Sequence, residues 1–138
     1  MTGVPDIAPR ETWGALKDTT ETALVDVRTD AEWNFVGLPD LAAIGKQSVL
    51  IPWQVYPSMQ VNSHFSEHLR KAGLTPLNRI YFICRSGARS LAAAQAAQAA
   101  GFPHVYNVST GFEGPVDDEG HRGNVAGWKA DGLPWKQR

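Results

Sequence analysis

The stretch Ile80-Tyr-Phe-Ile-Cys84-Arg-Ser-Gly-Ala-Arg-Ser90 decides how this chain folds. Its apolar half reads as a buried strand and ends at the only cysteine. Six residues follow, Arg85 to Ser90, with two arginines, two serines and a glycine among them. Leu91 to Ala100 then reads as a helix, because alanine is the best helix former, and Gly101 stops it. A thiol is thus placed at a strand end, inside a short basic loop, at the mouth of a helix.

Working outward, strand and helix signals alternate. Pro9 suits the first turn of a helix running to about Lys17, with Trp13 and Leu16 facing the core. Ala23-Leu-Val-Asp-Val27 reads as a buried strand whose carboxyl end releases Asp26 and Arg28. Thr29, followed by Glu32 three residues later, makes a capping box for a short helix carrying Trp33 and Val36. Ser48 to Ile51 reads as a strand and Pro52 to Asn62 as a connection. Ser63 to Lys71 reads as a helix, His104 to Val108 as a strand and Val125 to Asp131 as a last helical turn. Residues 1–8 read as an extended lead-in and 109–124 as a long loop. This alternation predicts an α/β fold, a small mainly parallel central sheet flanked by helices on both faces, in one domain over residues 1–138. Ligand sites in such sheets lie at the carboxyl ends of the strands, where both Asp26–Arg28 and Cys84–Ser90 fall.

Composition removes several classes. A chain of 138 residues buries roughly two thirds of its unfolded surface. The content of 43% hydrophobic and 20% charged residues is that of an ordinary soluble protein. A formal net charge of −1 lacks the basic excess of a nucleic-acid or membrane-surface binder, so neither partner is expected. One cysteine excludes an internal disulfide and a multi-thiolate zinc site. Met1 to Arg10 has no signal-peptide pattern, no apolar run reaches about 18 residues, and a lone thiol that must stay reduced suits the cytoplasm.

The thiolate is the reactive form of cysteine, and helix N-termini and neighbouring arginines favour it. Backbone N–H groups curling from Arg85 to Ser90 would make an anion cradle, with Gly87 supplying the backbone freedom. Cysteine-dependent phosphatases share this plan but hold five residues between cysteine and arginine. Four lie between Cys84 and Arg89, and Ile83 stands where those enzymes carry histidine. Both features count against phosphoryl transfer, and a cysteine-dependent phosphatase or arsenate reductase is kept as the less favoured alternative.

At Cys84–Ser90 the sequence resembles the rhodanese family of sulfurtransferases, whose six-residue active-site loop looks like CRSGARS. Leu24-Val-Asp-Val-Arg28 with Glu32-Trp33, Ile51-Pro52, Gly101-Phe102, Val105-Tyr106-Asn107, Gly111-Phe112 and Gly127-Trp128 through Trp135 are similar to further family elements. The likeness runs from about Ala8 to Trp135. One departure is Gly37-Leu-Pro-Asp-Leu-Ala, which replaces the family's G-H-I-x-G-A run and predicts a rearranged approach to the second strand. The resemblance implies a thiosulfate sulfurtransferase-like enzyme that moves a sulfane sulfur through a persulfide on Cys84 to a thiophilic acceptor. It implies a loop of Arg85, Ser86, Gly87, Ala88, Arg89 and Ser90 around the sulfur, with Arg85 and Arg89 as candidate donor-anion ligands and solvent or a partner as the alternative direction for one of them. No cofactor is implied. The partners are a small sulfur-donor anion and a thiol or cyanide acceptor, with a sulfur-accepting protein as a further candidate. A non-turnover carrier or regulatory module is the competing reading.

Asp26, Arg28 and Glu32 form the expected support behind the loop. One reading places Asp26 and Arg28 beside the loop as functional groups. The other makes Asp26 an acceptor for loop N–H groups and pairs Arg28 with Glu32. His64 and His68 share a helix face but have no evident third ligand, so no metal site is expected. Trp53 and Met59 are candidates to line the mouth, and Glu113–Val125 is a candidate lid.

Overall fold

A computed structural model describes residues 3–138. In chain order it contains β1 (Asp6–Ile7), α1 (Pro9–Asp18), β2 (Thr22–Asp26), α2 (Asp30–Phe35), β3 (Leu38–Pro39) and a 3-10 turn at Ala42–Ile44. It continues with β4 (Val49–Leu50), β5 (Gln54–Val55), β6 (Gln60–Val61), α3 (Phe65–Lys71), β7 (Arg79–Ile83), α4 (Ala88–Ala99), β8 (Val105–Val108) and β9 (Trp135–Lys136). Five strands form the central sheet in the order β1-β8-β7-β2-β4. Every pairing within it is parallel.

Side chains on a strand alternate between faces, and β7 divides its apolar residues accordingly. Ile80 and Phe82 enter one core with Phe65 and Leu69 of α3 and Ala93, Ala94 and Ala97 of α4. Tyr81 and Ile83 enter a second core with Leu16 of α1, Phe112 and Trp128. On β2, Val25 joins the first core and Leu24 the second. Helices therefore cover both faces, as the alternating pattern implies. The alanines of α4 let that helix pack closely on β7 and β8, to which it makes its main contacts.

Several expectations are corrected. The described part of the lead-in is not a free extension: Asp6 and Ile7 pair with Asn107 and Val108 as an edge strand, and the Asn107 amide donates to the Pro5 carbonyl. Met1 and Thr2 lie outside the described residues. The connection from Pro52 contains the antiparallel hairpin of β5 and β6. Val125–Asp131 forms no helix, because the Trp128 and Lys129 amides donate to Gly111 and Phe112 carbonyls instead. The Gly37-Leu-Pro departure puts Leu38 and Pro39 opposite Lys136 and Trp135, tying the second half of the sequence back to the first.

Phe82 is fully buried at the centre of the sheet, whereas Leu77 is 74% exposed. Phe82→Ala is expected to lower unfolding stability by about 3–5 kcal/mol. Leu77→Ala should stay within about 0.5 kcal/mol, and urea titration of both variants checks the contrast.

Candidate active site

β7 delivers Cys84 to the carboxyl edge of the sheet, between the ends of β2 and β8. Only 1% of Cys84 is exposed. The expected loop is shorter than the sequence suggests, because α4 begins at Ala88 and takes Arg89 and Ser90 into its first turn. Gly87 makes this abrupt start possible. It holds φ +111°, which L side chains rarely adopt, and a Cβ there would collide with the Ser109 carbonyl. The Gly87 amide donates to Cys84 Sγ at 3.1 Å, and Ser90 Oγ lies 3.2 Å from the same sulfur. One backbone donor and the positive end of a 12-residue helix thus face the thiol.

The other wall is a strap, residues 109–114. The Phe112 amide donates to the Cys84 carbonyl at 2.8 Å, and the Glu113 and Gly114 amides donate to the Arg85 carbonyl at 3.0 and 3.1 Å. A Cβ on Gly111 would sit 2.6 Å from the Cys84 carbonyl oxygen, so only glycine lets the strap lie this close.

The charged residues pair differently from expectation. Arg28 does not reach Glu32. Its Nε and Nη2 donate to Asp26 at 3.0 and 2.7 Å, and Nη2 also donates to the Gly37 carbonyl at 2.7 Å. Both members of this pair are fully buried. Asp26 is therefore spent on Arg28 and accepts from no loop N–H. The Arg28 guanidinium also lies 4.3 Å over the Phe112 ring, supporting the strap from beneath.

Glu32 instead binds Arg89 through two parallel hydrogen bonds of 2.7 and 2.8 Å. The Thr29 capping box holds α2, and with it Glu32, in place. Burial pushes the Glu32 carboxyl up. The hydrogen bonds and charge of Arg89, with the Arg28 charge and the Thr29 hydroxyl, more than offset this and hold it below the usual carboxylate range. Arg89 is held charged first by its hydrogen bonds to Glu32. Its guanidinium is thus already paired with a carboxylate. Arg85 is exposed, and its guanidinium has no hydrogen-bond or ion-pair partner among the described residues.

Above the loop opens a cavity of about 510 Å³ lined by Glu32, Val36, Gln54, Met59, Arg85, Arg89, Glu113 and Arg122. Met59 lines this mouth as expected, but Trp53 packs edge-on against Phe65, 5.3 Å between centroids, in the core. A larger cavity of about 810 Å³ lies beside β3 and β4 and contains no residue of the cysteine loop. The Glu113–Val125 loop is bonded internally. Gly123 donates to Glu113 at 2.7 Å, Arg122 to Gly114 at 2.7 Å, and Asp117 accepts from the Glu119, His121 and Asn124 N–H groups. Two participants escaped sequence reasoning. Asn107 reaches Gly87 and Ser90 from β8, which pairs with β7, and Asp6 reaches Asn107 only because β1 pairs with β8, where the lead-in carried no strand signal.

A rhodanese-like domain model matches residues 9–117, and the chain belongs to the rhodanese-like family. This is a sulfurtransferase-type family. Among curated relatives, uncharacterized proteins of Rickettsia prowazekii (strain Madrid E) and Rickettsia conorii are 35% and 34% identical, each alignment covering 96% of this chain and 98% of the relative. Among solved structures, the crystal structure of Rv0390 from M. tuberculosis is 44% identical, with a TM-score of 0.89, covering 99% of this chain and 100% of that one. The polysulfide-sulfur transferase homodimer from Wolinella succinogenes is 22% identical with a TM-score of 0.63, covering 98% of this chain and 80% of that one, a likeness of fold.

The depressed Glu32 carboxyl sets a pH window. A group held low in the folded state contributes stability above its ordinary value, about 4.3 for glutamate, and loses it as pH falls through the folded value. Wild type should therefore lose stability below about pH 4.3 more steeply than Glu32→Gln. Denaturation midpoints taken in pH steps measure this, and overlaid acid limbs would remove Glu32 as the cause.

Proposed function

We propose that the protein is a sulfurtransferase that carries a sulfane sulfur on Cys84. The observation that carries this reading is the position of Cys84 Sγ, buried at the head of α4 and in contact with the Gly87 N–H. The Cys84 thiolate attacks the outer sulfur of a donor such as thiosulfate. The donor S–S bond breaks, its electron pair leaves with sulfite, and a persulfide remains on Cys84. A thiol or cyanide then attacks the outer persulfide sulfur and restores the thiolate. Electrons balance between the sulfurs, so the cycle needs no cofactor. Helix N-terminal amides suit the negative terminal sulfur. Membership of a sulfurtransferase-type family supports the same reading.

Arg85 is the residue we assign to the donor anion, since Arg89 is committed to Glu32. Ser86 and Gly87 complete the loop, Ala88 and Ser90 lie in the first turn of α4, and Asp26, Arg28 and Glu32 hold the loop from behind. The phosphatase reading gains nothing from this geometry, because the arginine after the cysteine is already occupied by a carboxylate. The proposal takes residues 1–138 as a single rhodanese domain working in the reducing cytoplasm. Among the described residues, no helix is long and apolar enough to cross a membrane.

Incubation with thiosulfate should add one sulfur atom to the intact mass of wild type and none to Cys84→Ser. Silence of wild type toward thiosulfate and polysulfide alike would overturn the assignment. Loading without turnover on cyanide or small thiols would favour the carrier reading. Arg85→Ala should slow loading by thiosulfate about tenfold, the loss of one charge-assisted contact, while leaving the fold unchanged by circular dichroism.

A further inference from the structure

Ser90 and Asn107 are both buried, and their hydrogen bonds fix where one proton lies. Asn107 Nδ2 faces two acceptors, the Gly87 carbonyl at 3.2 Å and Asp6 Oδ1 at 3.1 Å. An amide nitrogen only donates, so these two partners set the orientation of the side chain and turn Oδ1 toward Ser90. Ser90 Oγ stands 2.5 Å from that Oδ1. The amide oxygen carries no proton, so the Ser90 hydroxyl must donate across this contact.

Ser90 has one proton and three neighbours that accept it. The Gly87 carbonyl, 3.2 Å away, already receives the Leu91 amide and Asn107 Nδ2. Cys84 Sγ, also 3.2 Å away, is left facing a Ser90 lone pair. A thiol satisfies that geometry by donating S–H to Ser90 while accepting from the Gly87 N–H. A thiolate does not. To donate to a sulfur anion the hydroxyl must turn away from Asn107 and leave a buried amide oxygen unpaired, which is unfavourable.

We infer that Asn107 is a positioning residue: it holds the Ser90 hydroxyl toward its own Oδ1 and so favours the protonated, resting form of Cys84. Asp6, on the edge strand, secures Asn107 from its other side. Asn107 touches neither sulfur nor donor and acts only through Ser90. The inference rests on Cys84 being the reacting group. Its test reads the thiol directly, so the result stands apart from the outcome of sulfur loading.

The charged groups around Cys84 are Asp26 and Arg28 at the end of β2, Glu32 on α2, Arg85 and Arg89 beside the loop, and Asp6 on β1. Asn107→Leu changes none of these charges; among these groups it removes only the amide from which Asp6 accepts. The experiment is the rate of Cys84 alkylation by iodoacetamide across pH, in wild type, Asn107→Leu, Asp6→Ala, and each with Ser90→Ala. Asn107→Leu should alkylate roughly 3- to 10-fold faster than wild type near neutral pH, the ratio of one unmade buried hydrogen bond, and converge with it at high pH where every thiol is ionised. In the Ser90→Ala background the substitution should have no effect. Asp6→Ala, at an exposed position, should move the rate about twofold in the same direction and also fall silent without Ser90. It decides the matter alone if circular dichroism shows Asn107→Leu unfolded. An equal gain at all pH values would mean opened access. A gain that persists without Ser90 would mean a direct effect on the sulfur, and no gain in either variant would mean no lock. Each of these overturns the inference.

Discussion

The close passage of the Gly87 backbone under Ser109 is the contact on which the site depends. At φ +111° and with no room for a side chain, Gly87 ends the loop three residues after Cys84 and starts α4 at once. The sulfur is then buried against the Gly87 N–H and the Ser90 hydroxyl. The strap that presses on Gly87 leaves β8, and the backbone of β8 is tied to β1 by the Asp6–Asn107 pairing. A loop that is local in sequence is therefore shaped by segments near residue 6 and residue 110. Stability of the sheet edge and geometry of the sulfur are one problem in this fold.

Two acid–guanidinium pairs stand close to one sulfur, and they differ in kind. Asp26–Arg28 is fully buried, and a buried pair gains little net stability over an apolar replacement while the loss of one partner is severe. Its value is geometric: Arg28 bridges Asp26, the Gly37 carbonyl and the Phe112 ring, and so joins β2, the Gly37 turn and the strap. Glu32–Arg89 is partly exposed and tempers the field at the thiol, since the nearest guanidinium in α4 carries its own counter-charge. What remains to attract an anion is Arg85 at the mouth and the amides at the base, with Arg122 and Glu113 facing the same cavity.

The elements legible in the sequence were those whose causes are local. The two faces of β7, the Thr29–Glu32 capping box and the alanine helix follow from period, capping chemistry and propensity; the capping box stands where it was placed, and the helix begins at Ala88, three residues before the expected Leu91. The departure at Gly37-Leu-Pro was legible in the sequence, though its pairing with Trp135 was not. The misreadings share one origin. Glu32 follows Arg28 by four positions and invites a local pair, yet its partner is 57 residues away. Val125–Asp131 has a helical look, yet its amides are claimed by Gly111 and Phe112. The lead-in shows a proline and no strand signal, yet two of its residues complete the sheet and bring Asp6 to Asn107. In each case a contact distant in sequence outweighed a weak local preference, which no single-sequence period can reveal.

Chemistry and selectivity are drawn from different parts of the chain. The groups that touch the sulfur, the Gly87 N–H and the Ser90 hydroxyl, sit at the head of α4, and the strap bonds to the Cys84 and Arg85 carbonyls beside it, which gives them rigid positions. The walls of the mouth come from elsewhere: Val36 at the end of α2, Gln54 and Met59 in a hairpin of two-residue strands, and Glu113 and Arg122 in an internally bonded loop. Short loops and hairpins tolerate change far better than sheet interiors. The cavity of about 510 Å³ falls within the range of small-molecule sites, ~300–1,000 Å³, and is roomier than an inorganic sulfur anion needs. Under the proposed sulfur transfer, a thiol acceptor would bring an organic body with it, and the apolar Val36 and Met59 walls beside charged Arg122 and Glu113 are the surface that body would meet. The loop thus limits what reaction is possible, while residues outside it, under a different structural constraint, limit which molecules can take part.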